Sequence, residues 1–228
     1  MRILKYGITL RRVTRNDIEY IRKRRNEIRD KMEYREYITP EMQEKWFEKI
    51  NNYNHFYYLI EKENEKIGLI SEIVVDREKS ILESGLFLFD KKYHNTIYPV
   101  LASLILLEVS YYIVGRSNDS YIKILKDNYS AIEYNKALGY ELCEGQENVE
   151  NQLYVLKKRN FEKKAGKLRN AALKATGKDN NTYVIFEDID FEESHIGQKM
   201  EELVKERLDL RPQLSESSNI RSIYWFRV

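Results

Sequence analysis

Cysteine is nearly absent from the sequence, and proline and glycine are scarce. The 228 residues include one cysteine, 3 prolines and 9 glycines, against 18 tyrosines. Because a disulfide needs two cysteines, the lone Cys143 excludes an internal disulfide and is typical of a reducing compartment. We interpret the tyrosine count as composition bias and not as a sign of function.

The sequence also lacks a strong net charge, a long apolar run and a histidine cluster. The net charge is +2, so composition gives no argument for nucleic acid as a partner. The longest apolar run, Val100 to Val109, is interrupted by Ser103 and Glu108 and is too short to span a bilayer. The N-terminus is too polar for a signal peptide, and the three histidines lack metal-ligand spacing. These absences predict a cytoplasmic protein with no membrane segment and no metal site.

The hydrophobic pattern predicts an α/β fold. From Ile8 to Leu156 it indicates a strand, two helices, three antiparallel strands, a helix, a strand, a helix and two strands. The second helix begins at Thr39-Pro40-Glu41, with Thr39 as its cap and Pro40 in the first turn. Such an order is typical of one open, twisted, mixed sheet with helices on its faces.

The stretch from Asp127 to Leu142 carries the most specific local signal. Asn128 stands at a helix N-cap, where its side chain can accept from free amides of the first turn. Gly139 stands at the C-terminal end, where a left-handed residue is needed. The stretch therefore predicts a short helix that ends at Gly139 and re-enters a strand.

This stretch resembles the closing motif of the GCN5-related N-acetyltransferases, in outline Asn-x-x-Ala-x-x-x-Tyr-x-x-x-Gly-(Phe/Tyr). Asn128, Ala131, Gly139 and Tyr140 match, whereas Asn135 stands where the family carries tyrosine. The resemblance implies a GNAT-like open, twisted sheet with helices on both faces and acetyl-coenzyme A as co-substrate. In the family the tyrosine protonates the leaving thiolate, which an amide cannot do near neutral pH.

A second resemblance concerns the first two helices. Arg24-Arg25-Asn26-Glu27, followed by Thr39-Pro40-Glu41 and Trp46-Phe47, is similar to a subgroup that acts on ribosomal proteins and on nucleotide-linked amino sugars. It implies that Arg25 and Asn26 bind substrate. Solvation of a charged helix face is the simpler interpretation of the same residues.

The resemblance also implies a path for coenzyme A. Backbone groups of Leu86, Phe87, Leu88 and Phe89 would pair with the pantetheine arm, and Asn128 would contribute from the following helix. The family's glycine-containing pyrophosphate loop corresponds to His94, Asn95, Thr96, Ile97 and Tyr98 here. This loop contains no glycine, and Pro99 after it has no amide donor.

Glu83 and Glu72 are the candidate bases for activating an amine, because both lie on predicted strands beside this path. Glu83 matches the family's strand glutamate, although a solvated strand residue is an equal alternative. Tyr134 is next to Asn135, but a helix turns about 100° per residue, so we expect Tyr134 to face elsewhere.

After Leu156 the composition changes, and we predict a GNAT-like domain at 1–158 and an appendage at 159–228. Residues 157–178 hold nine basic residues against Glu162 and predict a basic helix. A strand from Tyr183 to Phe191, a helix from Ile196 to Leu208 and a strand-like run from Ile220 to Val228 follow. The acidic cluster at 187–193 is interpreted as an acidic edge or as a partner for the basic helix, and the appendage as packing on the main domain or on a second subunit of a homodimer.

Two functions remain open on the sequence alone. The first is an N-acyltransferase that moves an acetyl or other acyl group to a primary amine of a nucleotide-linked amino sugar or a protein N-terminus. The second is a non-catalytic binding or assembly protein that kept the sheet and lost acetyl-coenzyme A, as the glycine-free loop and Asn135 suggest.

Overall fold

The structure is a computed structural model of the chain. It describes residues 1–31, 34–76, 81–116, 119–192, 196–206, 211–213 and 220–227. The predicted element ends Ser80, Leu208 and Val228, as well as His195, lie outside the described residues.

The described residues form seven α-helices and eleven strands. The helices are α1 (Ile18–Glu27), α2 (Pro40–Ile50), α3 (Tyr98–Glu108), α4 (Tyr129–Leu138), α5 (Lys158–Thr176), α6 (Ile189–Glu192) and α7 (Ile196–Lys205). The strands are β1 (Arg2–Lys5), β2 (Ile8–Arg12), β3 (His55–Lys62), β4 (Glu65–Asp76), β5 (Ile81–Leu88), β6 (Ser120–Leu125), β7 (Glu141–Leu142), β8 (Asn151–Leu156), β9 (Asn181–Glu187), β10 (Arg211–Gln213) and β11 (Ile220–Arg227). A π-helical turn, Val109–Ile113, continues α3.

All of these strands belong to one mixed sheet in the order β10-β11-β9-β1-β2-β3-β4-β5-β6-β8-β7. Neighbours run antiparallel except β5 and β6, which run parallel. The mixed α/β sheet predicted from the sequence is confirmed. Strand β1 was not predicted, because its four residues are too few to show a period.

Helices cover both faces of the sheet. Ile21 of α1 and Phe47 of α2 pack with Leu69 of β4 in one apolar cluster. The next residue of β4, Ile70, packs with α3, α4 and α5 in a larger cluster. Because consecutive strand residues point to opposite faces, α1 and α2 lie on one side of the sheet and α3, α4 and α5 on the other.

The appended residues continue the same sheet and core. β9 pairs antiparallel with β1, and β11 pairs with β9. Phe161 of α5 is fully buried in the cluster that contains α3. Glu108 of α3 accepts from Lys5 and from Arg169 of α5, both at 2.7 Å, and thereby ties β1 and α5 to α3. The appendage packs on the main body of the chain.

One prediction about the appendage was wrong, and one of the two interpretations of its acidic cluster does not hold. The strand expected to reach Phe191 ends at Glu187, because Asp190 turns back and accepts from the Glu187 amide at 2.9 Å to begin α6. The acidic residues at positions 187, 188 and 190 do not pair with the basic helix. Their partners are distant in sequence: Arg2 for Glu187, Arg221 for Asp188, and Arg12 for Asp190.

Within the described ranges, no helix combines the length and apolar character that crossing a bilayer requires.

The motif around α4 folds as its residues predicted. The Asn128 side chain accepts from the Ala131 amide at 3.2 Å, and Thr39 caps α2 in the same way. Gly139 ends α4 with φ +109°, and its amide donates to two carbonyls of the last turn. A Cβ on Gly139 would lie 3.0 Å from the Asn160 backbone, so a side chain there meets both strain and a clash.

Gly139→Ala should lower the free energy of unfolding by about 2–4 kcal/mol, because strain and overpacking add. Gly177 is the matched control, because it ends α5 with φ +63° and a Cβ there would meet no atom within 4 Å. Gly177→Ala should cost about 1 kcal/mol from backbone strain alone. Urea denaturation of both variants measures the difference, and equal losses would contradict the packing of Gly139 against Asn160.

Candidate active site

The parallel strands β5 and β6 separate after only two paired positions. Leu82 pairs with Ser120 and Glu83 pairs with Tyr121, and no later residues of the two strands pair. β5 nevertheless stays paired with β4 as far as Leu88. The strands therefore form a V. On its open side, backbone groups of β5 have no partner strand and are available to an extended ligand.

A cavity of about 220 Å³ occupies the V on the side of α3 and α4, and we call it the α3–α4 cavity. Leu86 of β5, Ile124 of β6 and Leu106 of α3 give it apolar walls, while Asn128 and Ala131 line it from α4. An apolar slot with a few polar groups at the end of a split sheet is typical of a small-molecule site.

A second cavity of about 490 Å³ lies on the opposite face of the sheet, and we call it the α1–α2 cavity. Arg25 of α1, Trp46 of α2, Tyr57 of β3, and Glu83 and Phe87 of β5 line it. Lys123 and Tyr34 also line it, so the cavity combines two cations, one carboxylate and four aromatic rings.

The two cavities share four lining residues, Ser84, Gly85, Leu86 and Lys123. All four lie on β5 and β6 just beyond the last paired positions. The two cavities therefore approach each other from opposite faces at the place where the strands separate.

Arg25 is the cation of the α1–α2 cavity that carries a buried polar atom without a partner. Its Nε atom is buried and has no hydrogen-bond partner among the described residues, and its guanidinium lies 5.7 Å from the centre of the Phe87 ring. Burial lowers the pKa of Arg25 from its usual value. An unpaired, partly desolvated cation in a cavity suits an anionic ligand.

Asn26 does not line either cavity. Its side-chain amide donates to the Ile38 carbonyl at 3.0 Å and its side-chain oxygen accepts from the Ile38 amide at 2.9 Å. Ile38 itself lines the α1–α2 cavity, so Asn26 acts on that cavity by holding its wall.

Glu83 and Glu72 have opposite environments. Glu83 lines the α1–α2 cavity, and its side chain forms no hydrogen bond or ion pair with another described residue. Glu72 is completely buried on the other face, where it accepts from Ser110 at 2.7 Å and from Arg116. Burial raises the pKa of Glu72. Glu72 reaches neither cavity, so Glu83 is the carboxylate that a bound amine could meet.

Asn135 and Tyr134 both line the α3–α4 cavity. The expectation that Tyr134 faces elsewhere is wrong, because the cavity extends around the edge of α4 toward α3. The Asn135 amide donates to the Ala131 carbonyl of its own helix at 2.8 Å. Burial raises the pKa of Tyr134.

The loop before α3 is folded on itself. Thr96 donates its hydroxyl to the Tyr93 carbonyl at 2.7 Å and accepts from the Tyr98 amide at 3.4 Å. His94 and Asn95 are exposed, and Asn95 takes the left-handed φ of +58° that a glycine would favour. None of the residues from His94 to Tyr98 is among those that line the α3–α4 cavity.

The predicted strand residues divide between the two faces. Leu86 lines both cavities, and Phe87 lines the α1–α2 cavity. The side chains of Leu88 and Phe89 are buried in the two apolar clusters. Only the backbone of Leu88 is left to contribute to a ligand site, because the Phe89 amide donates to the Ile67 carbonyl and the Phe89 carbonyl accepts from Arg24.

Sequence reasoning missed a row of hydroxyl groups at the apex of the V. Ser84 Oγ lies 2.9 Å from Ser120 Oγ, which lies 3.1 Å from the Tyr140 hydroxyl. Ser120 and Tyr140 are buried, while Ser84 faces the gap. The sequence feature that could have indicated this row is that Ser84 follows Glu83 and that Ser120 begins the next strand, β6.

Across the residues whose placement is described, no three His, Cys, Asp or Glu side chains come together as a set that could hold a metal ion.

Arg25→Met should raise the free energy of unfolding by about 1 kcal/mol, because it removes a desolvated charge without a partner and keeps an unbranched stem. Arg24, its neighbour, donates to the Phe89 carbonyl at 2.5 Å and to Glu27 at 2.8 Å. Arg24→Met should therefore lower stability by about 1–2 kcal/mol. Chemical denaturation without ligand measures both, and a loss of stability in Arg25→Met would show that Arg25 has a structural partner.

The fold has counterparts among solved structures, although no family model and no curated protein matches the sequence. Apo FdhC, a nucleotide-linked sugar GNAT, is 21% identical with a TM-score of 0.58, over 75% of this chain and 97% of that chain. Spermidine N-acetyltransferase from Vibrio cholerae, in complex with CoA and spermine, is 18% identical with a TM-score of 0.59, over 69% and 99%. The N-acetyltransferase PseH from Campylobacter jejuni is 16% identical with a TM-score of 0.50, over 67% and 99%. At these identities the likeness concerns architecture, and the chain has the fold of the GCN5-related N-acetyltransferases.

Proposed function

We propose that the protein is an N-acyltransferase that moves an acetyl or other acyl group from coenzyme A to a primary amine. The observation that carries this proposal is the pair of cavities on opposite faces of the sheet, which meet at the gap between β5 and β6. Direct transfer needs two substrates to approach from separate sides and to react at one point. The two cavities would supply the separate sides, and the gap would supply the common point.

The α3–α4 cavity suits the acyl-bearing arm of coenzyme A. The arm would pair with backbone groups of β5 between Leu86 and Leu88 and would pass Asn128 at the start of α4. Phe89, which was also expected to bind the arm, is excluded, because its amide donates to the Ile67 carbonyl and its carbonyl accepts from Arg24. His94, Asn95, Thr96, Ile97 and Tyr98 precede the N-terminus of α3, whose dipole favours the pyrophosphate. Because the Thr96 hydroxyl is already bonded within the loop, pyrophosphate binding would depend on backbone amides and the helix dipole.

The α1–α2 cavity suits the amine acceptor. Arg25 would bind an anionic group of the acceptor, the aromatic walls would contact its body, and Glu83 would accept the proton of the attacking amine. A nucleotide-linked amino sugar carries both an amine and phosphates, and a protein N-terminus is the alternative acceptor. Asn26 would support this site by holding Ile38 in place.

The reaction follows from these positions. The amine nitrogen attacks the thioester carbon through the gap, free backbone amides of β5 stabilise the oxyanion, and the carbon–sulfur bond breaks. The Asn135 amide cannot protonate the leaving sulfur, and one of its two N–H groups is bonded to the Ala131 carbonyl. Asn135 would contribute only by lining the arm.

A second candidate function is a non-catalytic binding or assembly protein on the same fold. The closed loop at Thr96 and the absence of its residues from the cavity lining favour this alternative, because they weaken the pyrophosphate site. A homodimer through the appended residues would fit either function.

Calorimetric titration with acetyl-CoA and with acetyl-pantetheine separates the two functions. We expect acetyl-CoA to bind, and Asn128→Asp to weaken it about tenfold by placing a negative charge beside an anionic ligand. Aspartate caps a helix as well as asparagine does, so this variant should keep the stability of α4, which a denaturation curve checks.

No binding of either ligand at millimolar concentration would favour the non-catalytic function. Equal affinity for the two ligands would show that the glycine-free loop contributes nothing to pyrophosphate binding. Unchanged affinity in Asn128→Asp would contradict the placement of the arm beside α4.

The charge of Arg25 predicts an acceptor preference. We expect a nucleotide-linked amino sugar to be acetylated with a higher kcat/KM than spermidine. Arg25→Met should lower the ratio of these two kcat/KM values by about tenfold. Release of the CoA thiol, followed with a thiol reagent, measures both rates. Faster turnover of spermidine, or a ratio unchanged in Arg25→Met, would contradict an anionic acceptor.

A further inference from the structure

The proposed reaction lacks an acid for the departing sulfur at the position of Asn135, whose amide also donates one of its two N–H groups to the Ala131 carbonyl. A thiolate that forms inside a dry, apolar cavity is costly unless a polar hydrogen reaches it. The α3–α4 cavity contains three other side chains with hydroxyl groups beside Ser84, namely Ser103, Tyr134 and Tyr140. Their positions decide which of them can reach the reacting atoms.

The sulfur must lie where the two cavities meet, because the acyl carbon beside it is attacked from the α1–α2 cavity. Among the four residues shared by the two cavities, Ser84 alone carries a hydroxyl. Tyr134 lines only the α3–α4 cavity. Lys123 also reaches the gap, but strand alternation with the buried Ile122 and Ile124 places it on the face of the acceptor.

Ser84 is the outer end of a chain of three hydroxyl groups. Tyr140 can donate to Ser120 and Ser120 to Ser84, at 3.1 and 2.9 Å, because hydroxyl hydrogens rotate to suit their partners. In this direction the Ser84 hydrogen is left for the cavity. Burial raises the pKa of Tyr140, so the inner end of the chain remains a donor.

We propose that Ser84 donates a hydrogen bond to the leaving sulfur of coenzyme A, and that Ser120 and Tyr140 orient it from behind. This inference rests on the acyltransferase function proposed above. Ser84 is then a catalytic residue, since it touches the reacting sulfur. Ser120 and Tyr140 are positioning residues, since they act through it.

The transfer balances without a proton from the hydroxyl chain. The amine nitrogen forms a bond to the thioester carbon and loses its proton to the Glu83 carboxylate. The carbon–sulfur bond breaks, and its electron pair stays on sulfur as a thiolate that accepts the Ser84 hydrogen bond. The thiolate takes a proton from water after coenzyme A leaves.

Titration of the CoA thiol in its complex with the protein tests this proposal. The ultraviolet absorbance of the thiolate reports the thiol pKa, and the complex with desulfo-CoA serves as the blank. Ser84→Ala should raise the thiol pKa by about one unit, a tenfold loss of thiolate stabilisation, and should lower kcat by about tenfold. Tyr140→Phe should raise the thiol pKa and lower kcat by smaller amounts, and Ser84→Thr should restore both values.

Two matched controls separate this effect from a general loss of stability. Ser222 is a buried serine far from the site, bonded to Glu201 at 2.5 Å, and Tyr111 is a buried tyrosine whose hydroxyl has no partner among the described residues. Ser222→Ala and Tyr111→Phe should leave the thiol pKa unchanged.

A thiol pKa that does not move in Ser84→Ala overturns the hydroxyl chain, as does a shift found in Tyr134→Phe instead. Failure of the unmodified protein to bind CoA overturns the acyltransferase function and this inference with it. Binding of CoA with an unmoved thiol pKa overturns the inference alone.

Discussion

The separation of β5 from β6 is the constraint on which both cavities depend. Two parallel strands that stay paired would satisfy their backbone groups and close the sheet. Here pairing ends at Glu83 and Tyr121, while the outer partners β4 and β8 hold each strand in place. The chain thereby accepts a row of unpaired backbone groups in its interior, which a bound molecule would satisfy. At this gap the two cavities, on opposite faces of one sheet, share lining residues.

Charge is distributed differently in the core and in the cavities. Inside the fold, Glu108 is bonded to Lys5 and Arg169, and Glu72 is bonded to Ser110 and Arg116. Such groups are costly when one partner is lost, so they hold elements together. In the α1–α2 cavity, Arg25 and Glu83 lack such partners among the described residues. Unsatisfied charge in a cavity is the usual mark of a site that a ligand completes.

Local signals predicted the parts of the fold that local physics decides. Thr39-Pro40 and Asn128 to Gly139 begin and end helices through bonds that span only a few residues, and the structure confirms them. Long-range partners could not be predicted. The Ser84–Ser120–Tyr140 chain joins positions that are 36 and 20 residues apart, and Arg12 meets Asp190 across 178 residues. Only the register of the sheet brings such groups together.

The pairing of β9 with β1 has a practical consequence for work on smaller forms of the chain. A protein cut after β8 would present the whole of β1 as an open edge, with a row of free amides and carbonyls beside the apolar surface that Phe161 and Phe186 now cover. Open edges of this kind recruit other chains and lead to aggregation. The last third of the sequence therefore covers the edge of β1 and prevents self-association by addition of a strand there.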